Sequence, residues 1–343
     1  MRHRDFALFI LPSGLAMLLF IVVPIGSILV QSFFISHEQV LQTVESCGPF
    51  GCTEETRVDT EATAALRREE PLGRFNGIGT YLDRAHLATG EIGAILSEAT
   101  GPVDALGRIL NLPFYRAMAF TLTYTFLVTP FCMALGFAVA LAVNALPRIS
   151  KGPVIFLTLL PYVATPLLGA LVVFWMVNPE GVLGAAFRWL SGNPDLSLQA
   201  SPALTWATLV VWGVWHTAPF AFVVFYAGLQ TVPTDTLESA MIDGANRLER
   251  VLFVTMPHLK PLAVFVGLIL LMDNFRVFEP IIGFSAEANA TSLSWAIYND
   301  LNGDGGQLFG SAAATSVLTV IGVMILLAPV LVRTRRDFAR GRA

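Results

Sequence analysis

The chain has 343 residues, of which 55% are apolar and only 13% charged, with a mean hydropathy of +0.66. A soluble domain carries about 25% charged residues, so a water-soluble globule of this size could not cover its surface. A net charge of −4 removes the electrostatic footprint of a nucleic-acid binder, and the apolar content excludes a disordered chain. The composition is that of an integral membrane protein.

A spanning helix needs about 20 mostly apolar residues to cross roughly 30 Å of hydrocarbon. Six stretches meet that length: Phe6 to Val30, Ala117 to Val143, Gly152 to Val177, Ala203 to Leu229, Leu262 to Phe284 and Gly310 to Val332. Continuous apolar runs suit helices rather than the alternating strands of a barrel. The expected fold is therefore all-α and polytopic, with six transmembrane helices. Pro12, Pro24, Pro130, Pro161, Pro166, Pro219 and Pro329 fall inside them. Membrane bundles tolerate such kinks, and their number points to a bundle that lines or gates a path. Arg2 and Arg4 precede the first stretch, but its apolar run exceeds the roughly 7–15 residues of a signal peptide. It reads as a retained helix.

Lys and Arg in short loops set orientation. With the N-terminus inside, the inner segments hold Arg2, Arg4, Arg148, Lys151, Arg247, Arg250 and Lys260, and the tail adds Arg333, Arg335, Arg336, Arg340 and Arg342. The two short outer loops hold only Arg188. Both termini are expected in the cytoplasm.

The long first outer loop, Ile35 to Arg116, has ordinary soluble composition, with twelve acids and seven Arg. It either packs as a small subdomain or forms a mobile lid, and serves either as a docking surface for an external partner or as a solvated cap. Thr56 to Glu70 reads as a charged helix. Cys47 and Cys52 flank a Gly-Pro-Phe-Gly turn and could form a disulfide in an oxidising compartment. A zinc site there would need two further ligands, and no metal site is expected elsewhere. Cys132 sits inside the second stretch as packing.

Between the fourth and fifth stretches, residues 231–261 form the most informative loop. Asp235 and Glu238 have capping-box spacing, Leu237, Ala240 and Met241 share a helical face, and Gly244 permits a sharp bend. A second short helix would carry Leu248, Val251, Leu252 and Thr255 and end at Pro257. Two helices joined by a glycine make a knob whose apolar face needs a partner. Its alternating charges do not make a basic membrane-binding face.

In this loop Glu238-Ser239-Ala240, three residues, Asp243-Gly244, nine residues and Val254-Thr-Met-Pro257 resemble the EAA loop of binding-protein-dependent ABC importer permeases. Ser239, Val254 and Met256 are conservative departures. Leu112-Pro-Phe-Tyr-Arg-Ala117, Thr121, Gly136, Ala140 and Asn144 are similar to the start of the permease core. Pro161, Pro166 and Asn178-Pro-Glu-Gly181, with Phe275, Phe278-Glu279 and Ile281, look like the carbohydrate group. Phe120 stands where the family usually has Asn, and Phe284-Ser-Ala-Glu-Ala replaces the group's Gly-Gly-Pro. The long loop is like the extracytoplasmic insertion of maltose-type permeases in position only.

The resemblance implies a type I ABC importer transmembrane fold in the bacterial inner membrane. It implies a second permease subunit, a dimer of ATP-binding cassette subunits that binds ATP and Mg, a periplasmic solute-binding protein and a sugar-type substrate. The domains would be residues 1–34 with the first helix, 35–116 as periplasmic loop, 117–332 as permease core and 333–343 as basic tail.

The spans carry some chemistry themselves. Asp273, Arg276 and Glu279 recur every three residues on one expected helix, beside Asn274. Intramembrane charges are costly unless paired or hydrated, so they either line a translocation cavity and bind sugar hydroxyls or form a self-neutralising ladder. Trp212 and Trp215 share a helix side, open to sugar stacking or to packing, while Trp206 reads as an interface anchor. His216 is a packing histidine or a proton relay. The only lysines, Lys151 and Lys260, are followed by Gly and Pro, so no P-loop exists in the chain. ATP hydrolysis would come from another polypeptide. The rival is a self-sufficient secondary transporter or channel, which would usually show internal repeats. An intramembrane enzyme is disfavoured because neither His-Glu-x-x-His nor Gly-x-Ser-x-Gly occurs.

Overall fold

The computed structural model describes residues 3–37, 40–48, 51–193, 197–198, 201–303 and 307–340. Among the described residues, five helices are long and apolar enough to span a membrane: Phe9–Gln31, Pro113–Ala145, Pro202–Leu229, Arg247–Phe275 and Phe309–Arg333. A sixth crossing arises only if Arg148–Val163 and Pro166–Val177 count together, and they are bent by 94° at their junction. The span expected from Gly152 to Val177 is thus sharply bent at Ala164 and Thr165, just before Pro166. Pro166 drives the residue before it out of the helical region, and Ala164 and Thr165 both take ψ 138°. The second arm has 12 residues, about 18 Å of helix, which cannot cross the membrane alone.

Elsewhere the chain runs through its prolines. Wide π turns at Leu18–Val22 and Val251–Thr255 end two residues before Pro24 and Pro257. A proline ring clashes with the carbonyl four residues back, and a widened turn relieves that clash. Pro257, expected to end a loop helix, therefore lies inside a 29-residue rod from Arg247 to Phe275.

The chain divides into two compact units. One comprises residues 1–116 and 296–321. Its long loop folds into two two-stranded pairings and several short helices. A hairpin, Leu41–Gly48 with Gly51–Val58, pairs Cys47 opposite Cys52. The side chains of that disulfide candidate lie outside the described residues. The charged helix starts at Thr60 rather than Thr56, because Asp59 caps it by accepting from the backbone N–H groups of Glu61 and Ala62. Tyr81 Oη donates to Ser32 Oγ at 2.6 Å, and Ser36 Oγ donates to the Gln307 carbonyl at 3.2 Å. These bonds fasten the subdomain to the end of the first span and the approach to the last.

Inside this unit His86 is buried, with Nε2 donating to the Ser311 carbonyl at 3.1 Å. Ser311 Oγ donates to Asp300 Oδ2 at 2.6 Å. Burial pushes the Asp300 carboxyl above its ordinary range, opposed by the Ser311 bond and by His86. A carboxyl whose pKa is raised on folding costs stability progressively as pH rises from its unfolded to its folded pKa, in full above the folded value and not at all below the unfolded one. Asp300→Asn keeps an acceptor for Ser311 and should raise the melting temperature at neutral pH. The gap between variant and wild type should close as pH falls.

The other unit comprises residues 117–295 and 322–343. Its core joins Phe120, Tyr124 and Val128 of the second span to Leu209, Trp212 and Phe222 of the fourth and Val266 and Leu270 of the rod. The second and fourth spans touch closely at Gly136, where an added Cβ would lie 2.6 Å from Ala221 Cβ and 2.7 Å from the Phe222 backbone nitrogen. Backbone cannot yield there as a flexible side chain can. Gly136→Ala should therefore cost about 1–3 kcal/mol, read as a lower unfolding temperature in detergent. Asn144 Oδ1 accepts from Gln230 Nε2 at 3.1 Å and ties the same two spans again about two turns farther along.

Candidate functional site

The loop after the fourth span folds as a knob. Its first helix, Thr234–Ile242, starts at Pro233 without a side-chain cap, so the capping box expected from Asp235 and Glu238 does not form. At its end the Ala245 N–H reaches the Ala240 carbonyl at 2.9 Å and the Gly244 N–H reaches the Met241 carbonyl at 3.1 Å. That pair of bonds is a Schellman turn, which needs a left-handed residue at its bend. Gly244 supplies it with φ +85°.

A capping box does form one turn later. Asn246 Oδ1 accepts from the Glu249 N–H at 2.9 Å, and Glu249 Oε2 accepts from the Asn246 N–H at 2.7 Å. The signal, Asn-x-x-Glu, stood in the sequence at residues 246–249. These caps start the rod, so the knob is continuous with the span that follows.

Glu238, Ser239, Asp243, Gly244 and Pro257 are exposed, and Ala240 and Val254 are half-buried. Beside them stand large apolar side chains in the open: Ile242 is 87% exposed and Leu248 66%. Sequence reasoning missed Ile242, because its neighbours set the helical face without it.

The polar residues of the fifth span do not form one stripe. The helix ends at Phe275, Arg276 caps it with φ −92° and ψ 22°, and Glu279 opens a separate helix, Glu279–Gly283. Because the rod begins at Arg247, Asp273 stands near its far end rather than at mid-span. Asp273 and Arg276 pair at 3.3 Å with both side chains exposed, and Glu279 is also exposed. Asn274 turns the other way. It is 4% exposed and donates to Thr129 Oγ1 at 3.0 Å.

The tryptophans separate as well. Trp212 is buried and stacks on His216 with ring centroids 4.8 Å apart, whereas Trp215 faces outward. Trp206 Nε1 donates to the Asn289 carbonyl at 2.9 Å. Phe120 packs edge-on against Trp206 at 4.9 Å, so an aromatic cluster occupies the place of the family's usual Asn. Among the described residues no group of His, Cys, Asp and Glu is arranged to hold a metal.

The knob leads directly into a rod long and apolar enough to span a membrane. Residues 113–337 match the family of the binding-protein-dependent transport system inner membrane component. The chain belongs to this family. Among relatives of this inner membrane component, the trehalose/maltose transport system permease protein MalF of Thermococcus litoralis is 29% identical over 218 residues, covering 62% of this chain and 71% of that protein. The probable ABC transporter permease protein y4oQ of Sinorhizobium fredii is 31% identical over 238 residues, covering 67% and 74%. The trehalose transport system permease protein SugA of Mycobacterium tuberculosis is 28% identical over 253 residues, covering 74% and 76%. A chain of a bacterial ABC transporter involved in the import of alginate superposes with a TM-score of 0.60 at 22% identity, covering 81% of this chain and 97% of that one. The inner membrane component thus has the transmembrane fold of ABC importers.

Proposed function

We propose that this chain is the permease subunit of an ATP-driven importer of sugars, mono- or disaccharides or related polyols and glycosides. The knob carries this reading: Ile242 and Leu248 are left bare beside a glycine-bent turn that leads straight into a membrane rod. Bare side chains of that size on a small projection fit burial in a partner's groove. The partner is a pair of ATP-binding cassette subunits, which bind ATP and Mg. Their closure moves the knob, and the rod tilts the bundle between inward- and outward-facing states.

Both termini and the knob lie in the cytoplasm, as the Lys and Arg distribution supports. A second, different permease completes the path, and a soluble binding protein delivers substrate to the outer face. The sugar class is supported by relatives named for trehalose, maltose and arabinooligosaccharides. Asp273, Arg276, Glu279 and Trp215 are the exposed groups able to meet sugar hydroxyls and C–H faces along the path. Cys47 and Cys52 form a disulfide, since directly opposed strand positions lie about 4.5–5.5 Å apart at Cα, within disulfide range.

Affinity purification of the tagged chain from its own membranes in mild detergent tests the assembly. It should bring down one ATP-binding cassette protein and a second permease. A chain that purifies alone and still transports alone overturns the reading.

A further inference from the structure

The loop between the first and second spans ends in two helices, Thr89–Glu98 and Pro102–Leu110, packed on each other as a hairpin. The open end of this hairpin is held at the ends of two spans. His86 Nε2 donates to the Ser311 carbonyl at 3.1 Å, and Tyr115 Oη donates to the Leu87 carbonyl at 3.0 Å. Ser311 and Tyr115 each lie in the first turn of a helix able to span a membrane. Leu110 stands three residues before Pro113, which opens the second span. That span has 33 residues, about 50 Å of helix, against about 40–45 Å for a bilayer with its headgroups. Its first turn, and with it the base of the hairpin, therefore lies in the headgroup zone.

Successive helical residues turn by about 100°, which sorts Pro102–Leu110 into three sides. Ala105 is buried and Ile109 half-buried on the inner side. Asp104 and Arg108 share a second side, where Arg108 Nε donates to Asp104 Oδ1 at 3.1 Å and Arg108 also stands 4.0 Å from Glu98. Val103, Leu106 and Leu110 fall within about 60° of one another on the third. All three are exposed, Val103 by 84%.

The position of this stripe decides what covers it. An upright hairpin would lift Val103 about 10 Å above Leu110 at 1.5 Å per residue, beyond a headgroup zone about 5–8 Å deep. The stripe is bare and apolar from base to tip, so it meets one apolar medium along its length only if the helix lies along the membrane. The charges beside it are paired within the hairpin, which leaves none there to steer a soluble partner.

We propose that Val103, Leu106 and Leu110 lie in the headgroup–acyl boundary of the adjoining leaflet, so that the hairpin rests flat on the membrane. Helices of this kind bury their apolar side about 5–10 Å into that boundary. The proposal needs only that the spans cross a membrane, and not the transport reading. It closes this face to a binding protein, which must dock elsewhere on the outer surface.

The test places the assembled importer in vesicles of phosphatidylcholine, a fraction of it carrying a diazirine near the glycerol end of one acyl chain. Illumination should label Val103, Leu106 and Leu110, read by peptide mass spectrometry, and spare the charged helix Thr60–Glu69. Adding the binding protein should change nothing. Val103→Asp with Leu106→Asp, both exposed changes, should abolish labelling of residues 102–110 and leave that of the second span intact. The wild-type map stands without this variant: no label on residues 102–110 contradicts the proposal. Label confined to the isolated chain would give the face to the second permease, and label lost on adding the binding protein would give it to that protein. Either result contradicts the proposal, as does unchanged labelling in the double variant.

Discussion

Gly244→Asp will leave the chain in the membrane and abolish uptake. Gly244 is held at φ +85° with nothing within 4 Å of the position a Cβ would take. No clash therefore opposes a side chain, and the conformational penalty for an ordinary residue is about 1–2 kcal/mol. That is enough to unwind the Schellman turn without unfolding the spans. The added carboxylate would also stand on the face proposed to meet the partner. Asn tolerates the left-handed region better than most residues, so Gly244→Asn should keep the turn and retain more uptake than Asp. Equal loss in both variants would mean that the surface, and not the bend, decides. Normal uptake by Gly244→Asp in vesicles would count heavily against docking at this turn.

Ile242→Glu is expected to separate stability from coupling. The side chain is 87% exposed, so the change should move the unfolding free energy by no more than about 0.5 kcal/mol. If Ile242 anchors the knob in a partner's groove, its loss should weaken the subunit contact by at least about 2 kcal/mol. The measurement is the amount of ATP-binding cassette protein retained on the tagged chain at rising detergent and salt. Retention equal to wild type would move the anchor elsewhere, to Leu248 or beyond the knob.

Parts of this structure were open to reading from the residues and parts were not, for reasons that can be named. The bend at Gly244 was legible, because few residues but glycine end a helix that way. The capping box was placed one motif too early: Asp235 and Glu238 have the spacing, but the chain enters that helix from Pro233 and uses no side-chain cap. Pro257 misled in the opposite sense. A proline usually stops a helix, yet the widened turn at Val251–Thr255 accommodates it, and no local pattern announces such a turn.

The rod's true start then shifted every depth below it. Asp273 moved from mid-membrane to the end of a span, and the expected charged stripe came apart where the helix stops at Phe275. Period counting also cannot tell which of two neighbouring polar groups faces inward. Asn274 found Thr129 on the second span while Asp273 found Arg276 outside, a choice made by tertiary packing. The hairpin of residues 41–58 went unread because its polar strands carry no alternating apolar face.

One measurement bears most directly on the claim that ATP hydrolysis by partners drives this permease through its knob. The purified assembly, with its binding protein outside, is sealed in vesicles with ATP trapped inside, and entry of a radiolabelled sugar that the binding protein retains is followed. Uptake should require the trapped ATP and fall to background with Ile242→Glu while the chain stays in the vesicle. Uptake by this chain alone, driven by an ion gradient without ATP and indifferent to the knob variant, would contradict the account.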